Sequence, residues 1–178
     1  MRNQPNGFTL LELIITVSIL SLLVAIAVPS YQAWIQKARL KATARDLHGE
    51  LQRARIQAIR GNDRTVIRFN AIVTGDPYDY IIFRDTNGNF RYQSGSEKLL
   101  AAVRFESAQY DTSKGDGQGM TFANNGGSTP AFAWTGRGLP VNQDGSPASG
   151  EIFMQNLRGD TVRLRVSPAG TIRIEPVP

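Results

Sequence analysis

The sequence predicts an α+β fold, in which one long N-terminal helix packs on a C-terminal domain of antiparallel β-strands. Residues 13–36 carry no charged side chain, and residues 40–58 then place apolar residues at helical spacing. From residue 65 onward, short segments of alternating apolar and polar residues are separated by Gly, Asn and Pro clusters, which is typical of strands joined by turns. A long helix followed by many short strands indicates a helix packed against antiparallel sheets.

The uncharged segment is long enough to cross a bilayer. Its 24 residues would extend about 36 Å as a helix, whereas the hydrocarbon core of a bilayer is about 30 Å thick. Glu12 lies directly before the segment, and a carboxylate that close to lipid is costly unless it has a function or a partner. Pro29 lacks a backbone donor, so we expect the helix to bend or melt locally there. We assign residues 8–30 to a transmembrane helix.

The second half of the helix, residues 31–61, is amphipathic. Six apolar residues spaced three or four apart fall on a stripe about 80° wide; they are Leu40, Ala44, Leu47, Leu51, Ala54 and Ala58. Gly61 and Asn62 tolerate the left-handed backbone conformation of a helix end, so we expect the helix to stop there. The stripe should pack on the β-rich domain of residues 62–178.

Eight short strands are expected in that domain. Two turns should form hairpins, at residues 85–89 and 156–160, because both contain Asn, Gly and Asp. Along residues 161–167 apolar side chains alternate with Arg163 and Arg165, which predicts one buried and one wet face. The expected strands cover residues 65–69, 78–84, 99–105, 120–123, 131–135, 151–155, 161–167 and 171–175.

Composition argues against an enzyme or a metalloprotein. The chain has 178 residues, a net charge of +5 and no cysteine, so disulfides and thiolate metal sites are excluded. Its single histidine, His48, argues against a histidine-based catalytic dyad or a histidine-rich metal site. No HExxH, Walker or GxSxG motif is present. Residues 85–89 resemble the start of a calcium loop, but the glycine comes two places early and no Glu stands at the twelfth position. We therefore expect no cofactor and no metal.

The N-terminus resembles a type IV prepilin. Residues 7–12 read GFTLLE, with a short polar leader of residues 1–7 before them and an uncharged run after them. The resemblance implies that a prepilin peptidase cleaves after Gly7 and methylates Phe8, that Glu12 becomes the fifth mature residue, and that Pro29 is the helix-loosening proline of pilins. An ordinary signal peptide, cut at residues 25–27, is the less favoured alternative, because it has no use for Glu12.

The rest of the chain resembles the GspH/FimT family of H-type minor pseudopilins. The resemblance rests on five segments in this order: residues 51–60, 85–89, 136–138, 150–152 and 165–174. The resemblance implies a pilin fold and a structural minor pseudopilin of a type II secretion system, assembled at the pseudopilus tip for protein export across the outer membrane. The major pseudopilin and other minor pseudopilins would be its partners. It would span the inner membrane once, with its C-terminal domain in the periplasm. The alternative is a FimT-like minor type IV pilin.

Glu12 and Phe8 together suggest how such a subunit would assemble. An unpaired carboxylate in lipid is penalised by several kcal/mol. The new N-terminal amine of Phe8 on a neighbouring subunit would neutralise the Glu12 carboxylate. Assembly would thus relieve a burial cost and set a register, and the alternative is that Glu12 sits at headgroup depth with little effect.

Nucleic-acid binding is a less favoured alternative function. Some FimT relatives bind DNA through a C-terminal Gly-Arg-x-Arg loop, and the matching residues 170–173 here read GTIR, so only Arg173 matches. Four other arginines could contact phosphates, or they could keep strand edges soluble; they are Arg137, Arg158, Arg163 and Arg165.

Overall fold

The computed structural model describes residues 8–177, and its first element is one continuous helix, α1 (Leu10–Gly61). Thr9 caps its start, because the Thr9 hydroxyl oxygen accepts a hydrogen bond from the Glu12 backbone N–H at 3.2 Å. Asn62 ends it in the left-handed conformation, with φ 50°, and its N–H bonds back to the last turn. The predicted long helix and its end are confirmed.

Pro29 does not interrupt α1. The helix continues through Pro29 as regular α-helix, so the expected local melting there is wrong. Proline lacks an N–H, which leaves the Ala25 carbonyl without its usual helical donor. The hydrogen-bonded turns on either side hold the backbone in helical conformation across this one missing bond.

The buried stripe of α1 is the one that the sequence predicts. The six apolar residues expected to be covered are all at most 3% exposed, and they join a core that also takes residues from both sheets described below. The first half of the helix contributes nothing to this core, because its side chains are exposed.

Nine strands follow the helix in the described part of the chain and form two antiparallel sheets. The first sheet has the order β3-β2-β1-β5-β6 and the second β4-β7-β8-β9. Both sheets pack on the buried stripe of α1, which confirms the predicted α+β fold. The strands are β1 (Arg64–Val73), β2 (Asp76–Asp85), β3 (Leu99–Val103), β4 (Gln109–Tyr110), β5 (Ala131–Trp134), β6 (Pro140–Val141), β7 (Gly150–Gln155), β8 (Thr161–Val166) and β9 (Ile172–Pro176).

The hairpin predicted at residues 85–89 is wrong. The tight turn of the first sheet is Thr74–Gly75, which joins β1 and β2 directly. Residues 85–89 instead open a long loop that leads to β3. Two buried carboxylates hold this loop: Asp85 accepts the backbone N–H of Gly88 at 2.8 Å, and Glu97 accepts that of Gln93 at 2.9 Å.

Residues 120–123 do not form the predicted strand. Only Met120 makes a bridge, to Ile152 of β7, while Phe122 packs into the core beside Phe132 with ring centroids 4.7 Å apart. Side-chain burial thus holds this segment without a strand ladder. The hairpin predicted at residues 156–160 is confirmed, since it joins β7 to β8.

Candidate functional site: the apolar helix half and the charged sheet face

The N-terminal end of α1 presents two of the three described residues expected to take part in processing and assembly, and the third, Pro29, lies farther along the helix. Phe8 precedes the helix and is 82% exposed, and Glu12 lies exposed in the first helical turn. Gly7 and the rest of the expected leader, residues 1–7, lie outside the described residues. The helix start therefore places an aromatic residue and a carboxylate about one turn apart, both accessible to another molecule.

The first half of α1 is an apolar rod with no covering element in the described part of the protein. Every residue from 10 to 28 is exposed, and most of them are large and aliphatic. By length and composition this part of the helix could cross a membrane. Soluble proteins rarely expose an apolar surface of this size, so it must be covered by lipid or by other subunits.

The hydroxyl groups within the rod are satisfied by the helix itself. Ser18 donates to the Ile14 carbonyl at 2.7 Å, and Ser21 donates to the Val17 carbonyl at 2.7 Å. Thr16 makes a similar bond one turn back along the helix. Since lipid offers no hydrogen-bond partner, this arrangement leaves the rod's hydroxyl protons compatible with a hydrocarbon environment.

Glu12 is the single carboxylate on the rod. Its side chain makes no ion pair with any residue between 8 and 177. The Thr9 cap satisfies the Glu12 backbone N–H but leaves the carboxylate oxygens available. The geometry therefore allows a cation from another chain to reach the Glu12 carboxylate.

Three of the arginines expected to contact DNA share the outer face of the second sheet. Arg163 and Arg165 lie on β8, and Arg173 pairs with Arg165 across β9. Two glutamates lie among them: Arg163 is 3.4 Å from Glu151 and also bonds Glu175. The face is thus a ladder of mixed charge with an excess of one positive charge, far less than a phosphate-binding strip needs.

The remaining arginines of that set lie elsewhere. Arg137 is exposed in the turn between β5 and β6, which packs on the end of α1 beside Asn62. Arg158 is exposed at the tip of the β7–β8 hairpin. The structure therefore gathers three of the five expected DNA-contacting arginines on one sheet face and leaves Arg137 and Arg158 apart from it.

Arg55 is a structural residue that the sequence did not reveal. Its guanidinium lies 5.5 Å from the Trp134 ring centroid and donates to the Gly170 carbonyl at 3.0 Å. It thereby ties the helix to both sheets, since Trp134 belongs to β5 and Gly170 to the turn before β9. A long-range contact of this kind leaves no local pattern, so only the fold could identify it.

No group of three or more His, Cys, Asp or Glu side chains that could hold a metal lies within residues 8–177.

The chain matches two family models of known proteins. Residues 2–28 match the prokaryotic N-terminal methylation motif, and residues 43–170 match the type II transport protein GspH. The second match spans more than two thirds of the chain. The methylation motif includes Phe8 and Glu12, and the GspH match begins within the amphipathic half of α1.

Two relatives also carry pilin names. The pilin-like protein PilA1 of Thermus thermophilus is 27% identical over 170 residues, covering 96% of this chain and 98% of the relative. The type IV major fimbrial protein FimA of Dichelobacter nodosus is 31% identical over 96 residues, covering 54% of this chain and 51% of the relative. No solved structure gives a significant match.

These matches fit the apolar helix end, the continuous helix and the paired sheets, and they point to a structural pilin-like subunit rather than an enzyme. The methylation motif implies processing by a prepilin peptidase and assembly with other pilins, and the apolar helix implies a membrane anchor with a soluble C-terminal domain. The chain belongs to the GspH family of type IV pilin-like proteins.

Proposed function

We propose that the chain is a minor pseudopilin of a type II secretion system, assembled at the pseudopilus tip for protein export across the outer membrane. The observation that carries the proposal is the match to type II transport protein GspH over residues 43–170, together with the methylation motif over residues 2–28. The subunit acts by polymerising and transmitting displacement, without chemistry of its own.

The proposed assembly divides the chain into four parts. Residues 1–7 are a leader, residues 8–30 the transmembrane and polymerisation helix, residues 31–61 the amphipathic helix half, and residues 62–178 the periplasmic β-rich domain. The helix spans the inner membrane once. The partners are the prepilin peptidase, the major pseudopilin and the other minor pseudopilins.

The proposed driving force for assembly is charge neutralisation. Cleavage after Gly7 would free the amine of Phe8, and this amine on one subunit would pair with the Glu12 carboxylate of the next. Because an unpaired carboxylate in lipid costs several kcal/mol, the pair favours the filament over the isolated subunit. The accessible Glu12 carboxylate supports this step.

A minor type IV pilin is the second candidate. The names of the two relatives, pilin-like protein PilA1 and type IV major fimbrial protein FimA, favour it. A type IV pilin that also binds DNA has weaker support, because Arg163, Arg165 and Arg173 lie among glutamates on the sheet face. Binding of DNA through these residues would predict a salt-dependent shift that is lost on their substitution.

The deciding experiment compares the secreted proteins of a strain lacking this chain with those of its parent. Type II secretion predicts lost exoproteins, restored by the intact gene but not by the Gly7→Ala variant. An unchanged profile, with lost twitching or DNA uptake, would instead assign the chain to a type IV pilus.

A further inference from the structure

The helix carries two stacked aromatic residues at the end of its uncharged segment, shortly before Lys37. Tyr31 and Trp34 are 62% and 64% exposed and stack with ring centroids 6.1 Å apart. Exposed Tyr and Trp at the end of an apolar span are typical of the membrane–water interface. The pair therefore marks the level of the lipid headgroups on the side of the β-rich domain.

Three cations continue the same helix face beyond that level. At about 100° per residue, Lys37, Lys41 and Arg45 fall with the aromatic pair within a strip about 120° wide. Lys37 lies three residues past Trp34, about 4.5 Å farther along the helix axis. Lys41 and Arg45 are exposed and form no ion pair within residues 8–177, whereas Lys37 is 3.3 Å from Asp160.

The cations border a groove between α1 and the second sheet. The groove has a volume of about 700 Å³, and Leu40 of the helix together with Ile174 and Pro176 of β9 forms its apolar floor. Three cations and the Asp160 carboxylate, which faces Lys37, line it as well, so its charge is positive in sum. A basic rim over an apolar floor suits an amphiphile with an anionic head.

The β7–β8 hairpin reaches the same level. Asp160 in its turn contacts Lys37, and its tip residues Leu157 and Arg158 are exposed, with Leu157 at 87%. Leu157 also lines a small cavity with Gln36, two residues past Trp34. A leucine presented to water beside an arginine costs free energy in solution but fits the headgroup and acyl boundary of a bilayer.

We propose that the face formed by the groove and the hairpin tip docks the β-rich domain on the membrane surface, with anionic phospholipid headgroups bound between Lys37, Lys41 and Arg45 and with Leu157 inserted beside them. This inference rests on the membrane anchoring that the proposed function assumes, and it goes beyond the role in secretion. Docking fixes the orientation of the unassembled subunit, because the hairpin and the helix then contact the same leaflet at two separate points.

Lipid selectivity tests the groove. The full mature chain in detergent micelles is titrated with phosphatidylglycerol or with phosphatidylcholine of the same acyl chains, and bound lipid is counted by native mass spectrometry. A basic side chain near an anionic lipid contributes about fivefold in affinity, so we expect a preference for phosphatidylglycerol of at least about tenfold. A triple variant should abolish it: Lys37→Gln, Lys41→Gln and Arg45→Gln.

A second triple variant of the same net charge is the matched control, because its residues are exposed and line neither the groove nor the cavity beside Leu157: Arg53→Gln, Arg60→Gln and Lys98→Gln. It should keep the preference. Equal binding of both lipids by the unaltered chain would overturn the assignment of the groove as an anionic lipid site. An equal loss of the phosphatidylglycerol preference in both triple variants would overturn it too, since net charge would then explain the binding.

The insertion of the hairpin tip is tested by measuring how close position 157 lies to the membrane surface. The chain has no cysteine, so Leu157→Cys and Arg60→Cys each give a single labelling site. In vesicles of phosphatidylcholine with about one third phosphatidylglycerol, a headgroup-attached nitroxide should quench a fluorophore at position 157 severalfold more than one at position 60, which lies about 39 Å along the helix from Trp34. Equal quenching at both positions would overturn the docked orientation.

The lipid result and the secretion result are independent. Lost exoproteins in the deletion strain, with no lipid preference and no selective quenching, would leave the proposed function standing and remove the docking face. Lipid preference with an unchanged exoprotein profile would do the reverse.

Discussion

Tyr110 of β4 donates its phenolic hydrogen to the backbone carbonyl of Asp79 in β2, at 2.9 Å. The bond joins the two sheets, and the Tyr110 ring is buried among Phe69 and Phe105. A buried hydroxyl needs such a partner, because leaving the hydroxyl or the carbonyl unpaired costs about 1–3 kcal/mol.

Tyr110→Phe should therefore lower the free energy of unfolding by about 1 kcal/mol, since the Asp79 carbonyl loses a donor while the ring is retained. Urea unfolding of the full chain in micelles, followed by the fluorescence of buried Trp134, measures the change. Tyr92→Phe is the control, because the Tyr92 hydroxyl makes no hydrogen bond within the described residues; an equal loss in both variants would contradict the role of the bond.

Alkaline pH should destabilise the domain through two tyrosines. Burial raises the pKa of Tyr110 well above its usual 10.0, with a smaller effect from Asp79, and burial also raises the pKa of Tyr80. Because the folded pKa values lie above the unfolded value, this stability is complete below about pH 10 and is lost as the pH rises toward the folded values. Unfolding titrations from pH 8 to about pH 12 should show the decline, and Tyr110→Phe should reduce its slope.

Leu47→Ala should destabilise the helix-to-sheet core by about 2–5 kcal/mol, because Leu47 is fully buried and alanine leaves a cavity. Ile59→Ala is the matched change on the same helix, where the side chain is 47% exposed, and should cost much less. Thermal unfolding compares the two. Similar losses would mean that the stripe is not the main contact between α1 and the sheets.

Gly7→Ala should block maturation. Residues 7–12 resemble a prepilin cleavage site and lie within the matched methylation motif, and we propose that the peptidase needs the glycine before the cut. Intact mass measurement of the chain from membranes should show residues 1–7 retained and Phe8 unmethylated. A Thr9→Ser variant should process normally, and normal processing of Gly7→Ala would remove the leader assignment.

Glu12→Leu should leave the chain in the membrane but reduce its entry into filaments, because the proposed partner for the Phe8 amine of a neighbouring subunit is lost while the apolar rod is kept. Crosslinking to the major subunit should fall at least tenfold, and Glu12→Asp should restore part of it. Unchanged crosslinking in Glu12→Leu would count against charge pairing.

The sequence predicted α1 and its buried stripe well because local periodicity determines them. Leu40 to Ala58 repeat at a spacing that only a helix brings onto one face. The Asn156–Asp160 hairpin was likewise predictable, since its turn chemistry is local: the Asn156 side chain binds Asp160 at 2.9 Å.

Features fixed by distant contacts were not predictable. The segment at residues 85–89 looks like a hairpin, yet Glu97 accepts the backbone N–H of Thr86 at 3.3 Å, and the buried Arg68 holds the chain directly after the segment, at Phe90. Arg68 donates to the Phe90 carbonyl at 3.1 Å and to the Thr129 hydroxyl at 2.7 Å, and no local pattern announces these partners. At the candidate site, GFTLLE identified Glu12, whereas the glutamates beside Arg163 appeared only once β7, β8 and β9 were aligned.

Because α1 is unbroken, the β-rich domain and the apolar rod move as one rigid unit. The sheets pack only on the C-terminal half of the helix, and about 40 Å of helix separates Lys37 from Leu10. A rotation of about 5° at the end held by the sheets would move the free end by roughly 3.5 Å, which is more than the length of a hydrogen bond. Substitutions of core residues that pack against Leu47 or Leu51 would thus shift the position of Glu12 at the far end of the helix. A filament defect could therefore arise from a mutation in the β-rich domain that contacts no neighbouring subunit.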